Sequence, residues 1–136
     1  MARVAAIDFG LKRTGIAISD PLAMIANGLD TVSTQELMVK LKVLHIEKPF
    51  DRLVVGYPKR LDGSDFEIER NIKLFIDEFA KQFPSIQIAR LDERFTSKIA
   101  AQTLSNSGVN KSNRRNKETL DKISATLLLQ EYLNRG

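Results

Sequence analysis

The chain contains no cysteine. That excludes disulfide staples, thiolate nucleophiles and cysteine-ligated zinc in one step. Histidine is nearly as scarce: His45 is the single one, and with no second histidine or cysteine to join it a zinc site has too few ligands. Long hydrophobic runs are also missing. The apolar stretch within Met1 to Gly10 is too short for a signal-peptide core or a membrane span. A cytoplasmic protein with no membrane partner is therefore the expectation. The 136 residues suit one domain, 1–136. A chain of that size buries roughly 70% of the surface its unfolded form exposes, so it folds without staples.

An excess of one charge sign is absent from most of the sequence. Met1 to Ser97 carries 14 Lys/Arg against 14 Asp/Glu, whereas Lys98 to Gly136 carries 7 against 3. The net charge of +4 therefore sits wholly in the C-terminal segment. A polyanion would be drawn there, and a solvated basic loop would look the same from charge alone.

What is present alternates between strand and helix patterns. Arg3 to Phe9 reads as a strand whose run Val4-Ala5-Ala6-Ile7 is apolar on both faces, as in a central strand. Gly10 to Thr14 reads as a turn, and Gly15 to Ser19 as the return strand of a hairpin ended by Asp20-Pro21. Ala23 to Val32 reads as a third strand interrupted at Asn27-Gly28. Ser33-Thr34 followed by Glu36 reads as a helix start, with Leu37, Leu41, Leu44 and His45 at helical spacing and Pro49 as the stop. Arg52 to Gly56 reads as a strand and Tyr57 to Ser64 as a loop. Asp65 to Phe83 reads as an amphipathic helix with Ile68, Ile72, Phe75, Ile76 and Phe79 on one face. Ile86 to Leu91 reads as a strand, and Thr96 or Ser97 as the cap of a helix reaching about Asn106. Asn110 to Asn116 reads as a polar, basic loop and Lys117 to Leu133 as a last helix. The order β-β-β-α-β-α-β-α-α implies an α/β fold with a mixed sheet and helices on its faces.

Three acidic positions stand out. Asp8 ends a buried strand, where a carboxylate is costly unless paired or bound to a cation. Gly10 leaves room for a ligand to approach; the plainer reading is an aspartate that caps the turn toward Lys12 and Arg13. Asp92-Glu93 follows a core strand, at the sheet edge where open sheets bind ligands. A helix N-terminus would account for one of those two acids. Asp121 lies at the edge of the apolar face of the last helix; spacing alone favours a surface acid paired with Lys117 or Lys122. An oxygen-only set of this kind suits Mg²⁺ or Mn²⁺. Two such ions about 4 Å apart activate water and stabilise the leaving oxygen of a phosphodiester, with no histidine or serine triad. Lys111, Arg114, Arg115 and Lys117 directly precede Asp121, which brings positive charge to the acids and favours nucleic acid as the partner. Arg13 and Arg94 are further candidates for phosphate contact, Arg94 alternatively as an ion-pair partner of the acids.

These segments resemble the YqgF/RuvX family, described both as pre-16S rRNA nucleases and as Holliday junction resolvases. The resemblance rests on ordered pieces across the chain. They are Ala6-Ile7-Asp8-Phe9-Gly10 with Arg13-Thr14-Gly15-Ile16-Ala17, and Val54-Val55-Gly56-Tyr57-Pro58 with Asp62-Gly63-Ser64. They continue with Leu91-Asp92-Glu93-Arg94-Phe95-Thr96-Ser97, the basic segment, and Asp121-Lys122-Ile123-Ser124-Ala125 with Leu129-Gln130 and Tyr132-Leu133. Ser124, where the family often has alanine, and Tyr57, where an aliphatic residue is commoner, depart from its pattern. The resemblance implies an RNase H-like fold with a central five-stranded mixed sheet. It implies a cytoplasmic, metal-dependent nuclease acting in 5′-end maturation of small-subunit rRNA, or on branched DNA, as a monomer or homodimer. Asp8, Glu93 and Asp121 would be its acidic site, with Asp92 able to exchange roles with Glu93. Two other readings compete: a phosphotransferase of the actin and sugar-kinase superfamily, which needs a second lobe to enclose ATP, and a non-catalytic RNA-binding module on the same fold.

Overall fold

The structure, a computed structural model, describes residues 3–57, 65–92 and 113–135. In chain order these form β1 (Arg3–Asp8), β2 (Arg13–Ser19), β3 (Ala26–Ser33), a 3₁₀ turn (Thr34–Glu36), α1 (Leu37–Glu47), β4 (Phe50–Tyr57), α2 (Asp65–Gln82), β5 (Gln87–Asp92) and α3 (Asn113–Arg135). The strands make one five-stranded sheet in the order β3-β2-β1-β4-β5. β1 pairs antiparallel with β2 and parallel with β4; β3 is antiparallel to β2, and β5 parallel to β4. This is the mixed α/β sheet the alternating pattern implied.

The central strand explains its own composition. Ala5 and Ile7 pack into one core with Ile16, Leu53 and Val55 beneath α1 and α2, through Leu41, Ile72 and Phe79. Val4 and Ala6 pack into a second core on the other face, with Ala17, Val54 and Leu91 beneath Ala125, Leu128 and Leu129 of α3. A strand covered on both sides has no polar face to show, hence the unbroken apolar run.

Several boundaries differ from expectation for local reasons. β3 starts at Ala26, not Ala23, because the Asp20 carboxylate holds the preceding residues in a turn. Its Oδ1 accepts the backbone N–H of Met24 at 2.7 Å and of Ile25 at 2.8 Å, and Oδ2 that of Leu22 at 3.2 Å. Within that turn Ala23 adopts a φ of 56°. The expected break at Asn27-Gly28 is a bulge instead: Ile16 pairs with Asp30 and Ala17 with Gly28, leaving Leu29 as the extra residue. β2 begins earlier, at Arg13, and β4 runs from Phe50.

Two corrections concern helix starts. Ser33 makes no side-chain cap bond; the chain passes through the 3₁₀ turn before α1, and the Thr34 hydroxyl is used elsewhere. The last helix begins at Asn113, so Arg114 and Arg115 lie on helical backbone and not in the expected loop, while Lys117 is helical as expected. Arginine and lysine are good helix formers, and their propensity extends the helix past the polar asparagines. Lys111 and the expected helix of residues 96–106 lie outside the described residues.

Candidate active site

Because β1, β4 and β5 run parallel, their carboxyl ends meet at one edge of the sheet. Asp8 closes β1 there and is half-buried. Across the ladder it pairs with Gly15 of β2. On the other side Ile7 pairs with Val55, which puts Gly56 of β4 on the next rung. The carboxylate thus stands between two neighbours that carry no side chain. One strand further, Leu91 pairs with Gly56 and Asp92 with Tyr57, so the backbone of Asp92 reaches the same edge. Glu93 and Arg94 lie outside the described residues, as does the side chain of Asp121. Asp121 is on α3, which packs across β1, β2 and β3. Ala125 and Leu128, four and seven residues further along, are fully buried against the sheet.

The turn after Asp8 is braced by residues outside the candidate set that the sequence suggests. The Thr34 hydroxyl donates to the Gly10 carbonyl at 2.7 Å and lies 2.9 Å from the hydroxyl of buried Thr14. With its one proton given to Gly10, Thr34 accepts from Thr14. The Thr34 backbone N–H also donates to the Lys12 carbonyl at 3.0 Å. Gly10 is required there: an added Cβ would collide with the Arg13 carbonyl oxygen. The only sequence signal for the brace is a polar pair at a helix start, which points to capping.

A second brace holds the end of β4. Arg90 makes a two-pronged ion pair with Glu69 of α2, at 2.7 Å and 3.1 Å. Its guanidinium also donates to the carbonyls of Val55 at 3.3 Å and Gly56 at 3.1 Å. Arg13, at the start of β2, is half-buried and engaged in its own contacts. His45 is a packing residue: its Nδ1 accepts the Phe50 N–H at 3.3 Å, and its ring lies edge-on to Phe50 and Phe83. Among the described residues, no helix is long and apolar enough to cross a membrane.

Solved structures share this architecture. A Thermus thermophilus RuvC bound to a Holliday junction substrate superposes with a TM-score of 0.60 at 14% identity, over 98% of this chain and 94% of that one. The yeast mitochondrial Holliday junction resolvase Ydc2 gives 0.54 at 13% identity, over 97% and 78%. At such identities the likeness shows the fold, which is RNase H-like. Sequence relatives are far more similar. A protein of Christiangramia forsetii named "Putative pre-16S rRNA nuclease" is 47% identical over 133 residues, 98% of either chain. One of Bacteroides thetaiotaomicron with the same name is 44% identical over 133 residues, 98% of this chain and 96% of its own. A family model described as "RuvX: Holliday junction resolvase" matches residues 2–135, and the chain belongs to that family.

Proposed function

We propose that this protein is a metal-dependent nuclease that hydrolyses phosphodiester bonds in the precursor of 16S rRNA, acting in the cytoplasm as one domain. The observation that carries the reading is Asp8 at the carboxyl edge of the sheet, between Gly15 and Gly56. The names of the relatives support the substrate. Glu93 and Asp121 complete the acid set. Asp8 is in step with Val4 and Ala6, which pack on the α3 side of the sheet. Asp121 is in step with Ala125 and Leu128 on α3.

An oxygen-donor set of this kind fits Mg²⁺ or Mn²⁺, and the flanking glycines leave room beside the carboxylate. When bound, the ion supplies positive charge against the phosphate under attack. Water attacks phosphorus in line, and the bond to the leaving oxygen breaks. Lys111, Arg114, Arg115 and Lys117 hold the strand through its phosphates, with Arg13 and Arg94 as further phosphate contacts.

The test is incubation with precursor 16S rRNA and with a four-way DNA junction, in Mn²⁺ and in EDTA, beside Asp8→Asn. Cleavage of the RNA in Mn²⁺, lost in EDTA and in Asp8→Asn, is expected. Cleavage of the junction alone would move the substrate to branched DNA, and a symmetric cut would call for a homodimer. Undiminished cleavage by Asp8→Asn would remove the site.

A further inference from the structure

A pocket of about 420 Å³ opens on the α3 side of the sheet, and Asp8 is not among its lining residues. Its lining includes Val4, Leu91 and Leu133, which are apolar, with Arg52, Tyr132 and Arg135 as polar groups. Val4 lies four residues before Asp8, about 13 Å along an extended strand. A phosphate bound beside Val4 and Arg52 is therefore not the one that Asp8 serves.

Arg52 is the informative residue. It is half-buried, and its guanidinium donates to two neutral acceptors, the Tyr132 hydroxyl at 2.5 Å and Gln87 Oε1 at 2.8 Å. Among the described residues, no carboxylate forms an ion pair with it. The guanidinium also lies 5.9 Å from the centre of the Tyr132 ring. The pocket's other arginines differ: Arg90 is committed to the mostly buried Glu69, whereas Arg135 makes only an exposed pair with Glu131 within its own helix turn, a weak contact that a phosphate can displace. A half-buried cation held in place by neutral partners keeps its charge available to an anion. Beside it stand an aromatic ring and an aliphatic wall. The volume falls within the range of small-molecule sites.

We propose that this pocket binds a nucleoside phosphate, with the phosphate on Arg52 and Arg135 and the base against Val4, Leu133 and the Tyr132 ring. The ligand is either a free mononucleotide or a nucleotide of a bound strand at a distance from the scissile bond. The second source rests on the nuclease reading above; the first does not.

Titration of the full chain in EDTA tests this without any chemistry. The probes are adenosine 5′-monophosphate and a short single-stranded RNA, followed by NMR shifts of the Val4, Tyr132 and Leu133 signals. Saturable shifts at these residues are expected with at least one probe, weakened about tenfold or more in Arg52→Gln. Arg135→Gln, at an exposed position, should weaken the same probe by a smaller factor without a folding cost. Shifts with the mononucleotide point to the free ligand; shifts with the RNA alone point to the strand. Absence of saturable shifts with either probe, or equal affinity in both variants, overturns the proposal. Asp8→Asn should leave the shifts caused by the mononucleotide unchanged, so a failed nuclease assay and a failed pocket are told apart.

Discussion

Asp20 shows how one carboxylate sets local structure. The backbone N–H groups of Ile25 and then Met24 hold its carboxyl below the ordinary value of 3.8, with a smaller contribution from Leu22. A carboxyl whose folded value is depressed stabilises the fold fully above its ordinary value and loses that effect as pH falls through the lowered one. An NMR titration should therefore place the Asp20 midpoint below 3.8. Asp20→Asn should be less stable than the parent near neutrality, the difference shrinking in acid. A midpoint at or above the ordinary value would contradict the turn described for residues 20–25. Asp8 and Thr34 illustrate the limits of reading single residues. The end-of-strand position of Asp8 was legible from the apolar run before it. Its two glycine neighbours were not, because Gly15 and Gly56 belong to different strands and meet Asp8 only through register. Thr34 was legible as a polar residue at a helix start, but its hydroxyl serves a turn 24 residues away.

Element placement depends on close approach. α3 crosses β3 at Gly28, where an added Cβ would lie 2.7 Å from Thr126 Oγ1 and 2.9 Å from Lys122 Cγ. The Thr126 hydroxyl is itself tied to the Lys122 carbonyl at 2.7 Å, so it cannot simply turn aside. Gly28→Ala should cost about 1–3 kcal/mol in urea denaturation, as overpacking does. It should also lower nuclease activity more than Thr126→Ala does, because Asp121 is the next residue along the helix from Lys122. Equal stability of Gly28→Ala and the parent would mean the helix sits further from the sheet than described. The element types of β1, β2, β4, α1, α2 and β5 followed from hydrophobic pattern and its punctuation: unbroken apolar runs in strands covered on both faces, helical spacing in α1 and α2, and proline or glycine at the ends. α3 was legible in its apolar part, Ile123 to Leu133, and misread at its start, where Arg114 and Arg115 have helical propensity but no apolar neighbours to reveal it.

At the scale of the molecule, charge and sheet are divided along the chain. Half of the surplus of positive charge lies on α3, the helix that also carries Asp121, and the rest precedes it. RNA affinity measured against salt should fall linearly on logarithmic axes. Alanine replacement of Lys111, Arg114, Arg115 and Lys117 should flatten the slope by roughly 0.7 for each phosphate of a single strand that is no longer gripped. An unchanged slope would assign the phosphate grip to other residues. The topology was legible up to the hairpin and the alternation after it, whereas strand order required the parallel pairing of β1 with β4. That order has a consequence for synthesis. The strand bearing Asp8 is made more than 100 residues before the helix that seals one of its faces. Until then Val4, Ala6 and Ala17 lack their cover. The sheet thus spends most of its synthesis with a single finished core, and the second closes only when α3 docks.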